Sequence, residues 1–381
     1  MYQWREIRTV HLEVTSKCNA ACPMCLRNVL GGKTNPQLPI TELSLADVQL
    51  MLSAEFISQI ERLYMCGNYG DPAMARESLE IMEYCKSVNP RLALELFSNG
   101  SIRDEKWWAR LARVVDRARF SVDGLEDTNH LYRRGTQWPV IMRNLKAFIG
   151  AGGRAEWDFL VFRHNEHQVE EARALAKELG VYKFNVKKTG RFFSNTRAEV
   201  KDRQEVMNRD GGIEYYLEMP TNPKYLNSAL QKEEQICGEF GTLKKFFGQT
   251  PIDCKVAREK SIFFSAEGYA FPCCWTANQL YPWYYEKRGS PMWKLLDATA
   301  GGLDSLNAKK HPLAQIVAGD FFQKRLPESW GKKSLEEGRL FVCGKTCGQG
   351  FDAFKAQFEQ VSQPFQTAAP GKLTPSQERP S

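Results

Sequence analysis

Between residue 7 and about residue 190 the chain alternates six times between a short strand-like run and a longer helix-like run. The strand-like runs are Val10–Thr15, Arg62–Cys66, Leu92–Phe97, Ala118–Val122, Trp157–Phe162 and Lys183–Lys187. In the first, Val10, Leu12 and Val14 alternate with His11, Glu13 and Thr15, the period of two that a strand requires. Between the strands, apolar residues recur at three- and four-residue spacing. Leu45, Val48, Leu52 and Phe56 predict one helix over Ser44–Gln59, and Ile141, Leu145 and Ile149 mark another. Val169, Ala172, Ala176 and Leu179 mark a third over 166–180, which Gly180 stops. Each parallel pair of strands needs a crossover, so the alternation predicts a parallel sheet of α/β class. Six units rather than eight predict an open, partial (β/α)6 TIM-like barrel over residues 1–190, with functional residues at the carboxyl ends of its strands.

Cys18, Cys22 and Cys25, spaced C-x3-C-x2-C, stand just past the carboxyl end of the first strand. Three soft thiolates suit an iron–sulfur cluster and are one fewer than a closed four-cysteine site needs, so one metal stays open to a small molecule. Zinc is the competing reading, but no further Cys or His follows closely behind Cys25 to close a tetrahedron. A disulfide would leave an odd thiol, and nothing at the N-terminus reads as an export signal. Polar turns follow the next strands: Gly67-Asn68-Tyr69-Gly70-Asp71-Pro72, Ser98-Asn99-Gly100 and Ser121-Val122-Asp123-Gly124. Each taken alone is ordinary turn chemistry; all three fall on the expected functional face.

The C-x3-C-x2-C loop after a first strand resembles the signature of the radical SAM superfamily, with Met24 where an aromatic residue is usual. The resemblance implies that Cys18, Cys22 and Cys25 hold a [4Fe-4S] cluster whose fourth iron takes S-adenosylmethionine (SAM) through its amino and carboxylate groups. One-electron reduction would then cleave the sulfonium to a 5′-deoxyadenosyl radical, with the electron supplied by a flavodoxin- or ferredoxin-type partner. Gly70-Asp71-Pro72 resembles the end of the family's Gly-Gly-Glu-Pro segment, with Asp71 as acceptor for the SAM ammonium. Ser98-Asn99-Gly100 looks like the family's Thr-Asn-Gly turn, and Ser121 resembles the residue that meets the SAM ribose. Asp123-Gly124, His130 and Arg133-Arg134-Gly135 resemble the run found in members with auxiliary clusters, where an arginine pairs with the SAM carboxylate; Arg134 is preferred to Arg133. Asn165, ending the fifth strand, is either an adenosine contact or the N-cap of the next helix. No side chain is assigned a catalytic role beyond these cofactor contacts.

Residues 191–245 are polar and broken by NRDGG and MPTNPKY, which predicts a linker or insertion with little core. Cys254 then precedes SIFFSAEGYAFPCC, whose Ser265–Gly268 reads as a hairpin turn bringing Cys254 near Cys273. Cys343 and Cys347 follow at the mouth of a helix expected over Phe351–Gln363. The spacing from Cys254 through Gly268 to Cys273 resembles the twitch and SPASM domains. That implies a small α+β iron–sulfur domain over 246–363 with an auxiliary [4Fe-4S] cluster on Cys254, Cys273, Cys343 and Cys347. Zinc on the same thiols is the alternative, Cys274 competes with Cys273, and Cys237 is a further candidate ligand. Cys85, on a stripe with Ile81 and Val88, reads as core, and Cys66 as packed below the site. Residues 364–381, rich in Pro, Ser, Gln and Thr, read as a disordered tail.

With 52 Lys and Arg against 45 Asp and Glu, interspersed, the charge of +7 gives no basic face that demands nucleic acid. No apolar run is long enough to span a membrane, and eleven cysteines without an export signal point to the cytoplasm and metal ligation. The expected function is radical SAM hydrogen abstraction from a peptide, a protein or a small polyol or sugar. The alternative is a non-catalytic iron–sulfur carrier or zinc module.

Overall fold

The computed structural model describes residues 1–194, 199–284, 286, 289–351 and 365. Six parallel strands, β1 (Thr9–Leu12), β2 (Arg62–Met65), β3 (Ala93–Ser98), β4 (Arg117–Ser121), β5 (Ala155–Val161) and β6 (Lys183–Lys188), lie side by side in chain order. Helices cross between them, giving the partial (β/α)6 barrel of α/β class. Against the helices the strands present Leu63, Met65, Leu94, Leu96, Ala118 and Phe120, which share a core with Leu79, Met82, Leu111 and Leu145. The opposite face carries charge. Arg62 and Arg117 both pair with Glu95 (2.6 and 2.8 Å), and Arg117 and Arg119 pair with Glu156 (3.3 and 2.9 Å). Lys187 pairs with Asp158. Each buried carboxylate thus has a cation, as burial of charge requires.

The strands match the sequence expectation to within a few residues, except at the start. The ladder of β1 stops at Leu12 because the chain beyond it takes different partners. Leu43 N donates to Val14 O (2.8 Å) and Ser16 N to Thr41 O (3.0 Å), while Thr15 bridges to Glu42. The helix expected over Ser44–Gln59 is two helices, Leu45–Met51 and Ala54–Gln59. Ser53 breaks it: its hydroxyl accepts from Phe56 N at 3.2 Å and caps the second segment. The 166–180 run opens as a 3-10 turn (Glu166–Gln168), continues as Val169–Glu178, and ends at Gly180 with φ +80°.

The segment expected to be a coreless linker contains two hairpins and two helices. Strands β7 (Phe193–Ser194) and β8 (Glu199–Val200) pair antiparallel, as do β9 (Arg203–Met207) and β10 (Ile213–Glu218). The NRDGG run is the turn of the second hairpin, with Asn208 N donating to Gly212 O at 2.9 Å. Helices Ser228–Phe240 and Leu243–Gln249 follow. Phe192, Val206, Leu217, Leu230, Ile236 and Phe247 form a core continuous with Cys22, Tyr132 and Phe162 of the barrel.

The hairpin expected around Ser265–Gly268 is present as β11 (Ser261–Phe264) and β12 (Ala270–Phe271). It joins the barrel sheet: β11 pairs parallel with β1, Val10 opposite Ile262, giving the order β12-β11-β1-β2-β3-β4-β5-β6. The C-terminal unit therefore grows directly from the barrel edge beside the first cysteine loop. Cys343 and Cys347 sit within a helix, Phe341–Cys347, four residues apart and so on one face. The helix expected over Phe351–Gln363 and the tail over 364–381 lie outside the described residues, apart from Phe351 and Phe365. No described helix is long and apolar enough to cross a membrane.

Candidate active site

Cys18, Cys22 and Cys25 lie on the loop that leaves β1, and donors are already aimed at the sulfurs of Cys18 and Cys22. Ala20 N stands 3.3 Å and Asn99 Nδ2 3.9 Å from Cys18 Sγ, and a guanidinium nitrogen of Arg133 stands 3.8 Å from Cys22 Sγ. Burial pushes the Cys22 thiol up to about 11, with Arg133 opposing the rise and Cys25 and Asp123 adding to it. A bound cation would reverse that cost, because a metal takes the thiolate.

The neighbouring loops close on this one through backbone. Ala21 N donates to Arg134 O at 2.8 Å, and a Cβ at Gly135 (φ +83°) would stand 2.7 Å from Asn19 O. At Gly70 a Cβ would fall 1.8 Å from Thr15 O. Only glycine permits either approach. Asp71 N donates to Lys17 O at 2.8 Å, completing the seam between the first two strand ends.

Side chains at the next three strand ends take roles the sequence did not suggest. Asp71 is buried, and its carboxylate accepts from Asn99 N (2.8 Å), Ser98 Oγ (3.1 Å) and Ala73 N (3.0 Å). Both oxygens are thereby engaged, so Asp71 stitches the second loop to the third instead of standing open for an ammonium. Asn99 is held so that its amide reaches Asn19 Oδ1 at 2.8 Å as well as Cys18. Ser121 ends β4, half-buried.

Arg134 turns away from the thiols. Its guanidinium donates to Met207 O (2.6 Å) and pairs with the half-exposed Glu214 (2.6 Å), both on the β9–β10 hairpin. The arginine at the cysteine loop is Arg133, buried against Asp123 at 2.5 Å, and this corrects the preference for Arg134. The two side chains leave a turn in opposite directions, which their sequence positions do not reveal. Asn165 stands at the N-cap position of the Glu166–Gln168 turn, but its side chain makes no capping bond and is not an open contact. Its amide donates to Asp123 O (2.9 Å) and Leu160 O (3.0 Å) and its oxygen accepts from Phe162 N (2.7 Å), so every strong bond it offers is spent on the β4 and β5 ends.

Two residues missed from the sequence belong here. Glu13, 2 % exposed, accepts from Tyr69 N (2.6 Å) and Gly70 N (3.2 Å). Burial pushes its carboxyl up to about 8 against those hydrogen bonds. Asn68 O stands 3.8 Å from Cys25 Sγ, and Asn68 Nδ2 is buried with no hydrogen-bond partner. Glu13 occupies one of the polar alternate positions of the first strand, which is the signal that marked it.

The second set of thiols also converges. Cys254, Cys273, Cys343 and Cys347 line one small cavity with Val256, Trp275, Thr276, Leu326, Trp330 and Thr346. Thr276 Oγ1 stands 3.5 Å from Cys273 Sγ, and Thr346 Oγ1 donates to Cys347 Sγ at 3.8 Å. Cys254 and Cys347 are hydrogen-bonded to each other, which raises the thiol of Cys254 and lowers that of Cys347. Cys274 is buried within the electrostatic reach of Cys66 and Glu13 as well as Cys273, and it is not among the cavity-lining residues. Cys237 lies in the other core, near Glu233 and Glu234. Cys85 is fully buried, as expected.

Both sets of residues fit iron–sulfur ligation, since each presents thiols with hydrogen-bond donors turned toward sulfur. Among the described residues no three Cys, His, Asp or Glu side chains are gathered at the spacing of a single metal ion.

Solved structures of other proteins resemble this chain in fold. The chain superposes on a histidine-tagged anSMEcpe with bound AdoMet at a TM-score of 0.51 and 14% identity, covering 93% of this chain and 92% of that one. A Streptococcus suis SuiB structure matches at 0.45 and 11% identity over 71% of this chain, which spans 61% of SuiB's length. BtrN in complex with AdoMet and 2-DOIA matches at 0.43 and 12% identity, over 93% and 98% of the two chains. At such identities the first of these speaks for the fold alone. Residues 12–179, from the end of β1 through the helix before β6, match the sequence model of the Radical SAM superfamily. The barrel of this chain therefore carries a Radical SAM domain.

Proposed function

We propose that Cys18, Cys22 and Cys25 hold a [4Fe-4S] cluster with one open iron, and that SAM binds there as the source of a hydrogen-abstracting radical. When bound, the cluster supplies the electron that splits the sulfonium. The chain's own part is to hold and orient. Arg133, buried beside Cys22, offsets the negative charge of the thiolates, and Asn99 and Ala20 donate to Cys18. The Gly67–Asp71 loop, pressed on the cysteine loop at Gly70, walls the open side. Ser121, at the carboxyl end of β4, faces the ribose. The observation that carries this reading is three thiols on one loop at the carboxyl end of a parallel barrel, two of them met by hydrogen-bond donors.

A second [4Fe-4S] cluster on Cys254, Cys273, Cys343 and Cys347 completes the proposal, making residues 246–351 a twitch-like unit. The shared cavity and the hydroxyls beside Cys273 and Cys347 support a thiolate-held metal centre there. The substrate, a peptide or protein side chain or a small polyol or sugar, gives up its hydrogen at the barrel's carboxyl end. A flavodoxin- or ferredoxin-type reductant supplies electrons, and the enzyme works in the reducing cytoplasm. The test is anaerobic reconstitution with iron and sulfide, then SAM and a strong reductant. Release of 5′-deoxyadenosine, abolished by replacing Cys18, Cys22 and Cys25 with Ala, is expected. An iron-loaded protein that releases none would return the chain to the electron-carrier class.

A further inference from the structure

The second set of thiols has a buried cation behind it. Arg339, 4 % exposed, stands just ahead of the helix that carries Cys343 and Cys347. Its guanidinium donates to Phe247 O (2.9 Å), Lys332 O (2.9 Å), Trp330 O and Thr250 O, which spends four of its five N–H groups. Three of these carbonyls lie at the ends of the helices Leu243–Gln249 and Leu326–Trp330, where the backbone lends a fraction of a negative charge. None supplies a full one. Among the described residues no carboxylate pairs with Arg339, in contrast to Arg62, Arg117 and Arg133 of the barrel. The titratable group in its field is Cys343, and Cys343 feels it in turn. Trp330, whose carbonyl it holds, lines the same cavity as Cys254, Cys273, Cys343 and Cys347. Burying a charge is costly unless an opposite charge offsets it, and here the groups able to supply one are the thiolates.

We propose that Arg339 is the buried counter-charge of a metal centre held by Cys254, Cys273, Cys343 and Cys347, and that it sets how readily that centre accepts an electron. This rests on the reading of those four thiols as a [4Fe-4S] site. Arg339 is not a ligand: its N–H groups go to carbonyls, and it acts on the thiolates through its charge. The step concerned is the transfer of one electron from the external reductant to the centre, in which no bond is made or broken. Reduction adds negative charge to a site already negative from its thiolates, so a cation sealed beside it favours the reduced form. Burial keeps water and salt from screening that effect. A neutral amide could hold the same carbonyls, so the positive charge is the part of Arg339 that the hydrogen bonds leave unexplained.

The Cys18→Ala/Cys22→Ala/Cys25→Ala protein, reconstituted with iron and sulfide, leaves the second centre alone to be titrated against potential by electron paramagnetic resonance. In that background Arg339→Gln keeps amide donors for the carbonyls and drops the charge. It should lower the reduced-to-oxidised ratio at a given potential about tenfold, or about 59 mV for a one-electron couple. Arg339→Lys keeps the charge and should leave that ratio within about twofold of the Arg339 protein. If Arg339→Gln takes up no iron while Arg339→Lys loads fully, that contrast also supports a counter-charge. A potential unchanged in Arg339→Gln, an equal shift in Arg339→Lys, or loss of iron from both would reduce Arg339 to a clip for carbonyls and overturn the proposal. A background protein that holds no iron–sulfur centre at all would instead overturn the site reading beneath it.

Discussion

Replacing Asp71 separates two roles that the sequence leaves superimposed. If Asp71 waits for an ammonium, its loss weakens SAM and leaves the unliganded fold intact. If it stitches loops, its loss destabilises the unliganded protein. In the structure its two oxygens satisfy Asn99 N, Ala73 N and Ser98 Oγ. Asp71→Ala strands two backbone N–H groups in a buried setting, at about 1–3 kcal/mol each, while the Ser98 hydroxyl can rotate to another acceptor. Relief of a buried carboxyl, which burial holds above the usual carboxylate range, offsets part of this. The net expectation is a loss of about 2–4 kcal/mol. At roughly 2 °C per kcal/mol for a chain of this size, the apoprotein should melt about 4–8 °C lower, read by circular dichroism under anaerobic conditions. Asp71→Asn keeps one acceptor oxygen and turns an NH2 toward the remaining donor, so it should fall between the parent and Asp71→Ala. An Asp71→Ala apoprotein that melts with the parent yet has lost SAM affinity would refute the stitching role.

Further outcomes follow from the same geometry. Arg133→Ala leaves Asp123 buried without its cation and should cost about 3–5 kcal/mol in a denaturant titration, whereas Arg134→Ala, facing half-exposed Glu214, should cost about 1 kcal/mol or less. Equal costs would contradict the assignment. Glu13 titrates at about 8 in the fold against a reference near 4.5, raised by burial and by Glu267, with Tyr69, Cys66 and Cys274 also in its field. Below pH 4.5 both states hold the proton and burial costs nothing; the cost then grows until pH 8, toward about 5 kcal/mol. Parent stability should therefore fall relative to Glu13→Gln as pH rises through that window, and parallel profiles would count against a buried, proton-holding Glu13. Replacing Cys254 and Cys273 with Ala should remove about half of the bound iron while 5′-deoxyadenosine release persists; full iron retention would sink the second cluster.

What the sequence made legible is what repeats along it. Six strands and their helices were readable because apolar residues recur at two fixed periods, and the first three cysteines because their loop is local. The break at Ser53 was not, since an apolar stripe runs through it and only the hydroxyl's bond to Phe56 N decides the matter. NRDGG reads as a linker by composition, yet the same Gly and Asn residues close a hairpin whose Val206 and Leu217 reach a core. Arg133 and Arg134 differ by one position on a turn, and the turn's backbone determines which one meets Cys22. Asp71 and Asn165 carry the residue types of ligand contacts, but backbone donors and acceptors from other strands had already claimed them. Glu13 was visible as a polar alternate in β1, and its meaning depended on Tyr69 and Gly70, more than fifty residues away.

The open iron proposed at the first cluster is the centre of this mechanism, and electron paramagnetic resonance reads it directly. The Cys254→Ala/Cys273→Ala protein, reconstituted and reduced, isolates the cluster on Cys18, Cys22 and Cys25. Adding SAM should change the g-values of its reduced signal, because the amino and carboxylate groups enter the iron's coordination sphere. A spectrum that stays the same at saturating SAM would mean that no iron is open, and would contradict the reading of three thiols as an incomplete set.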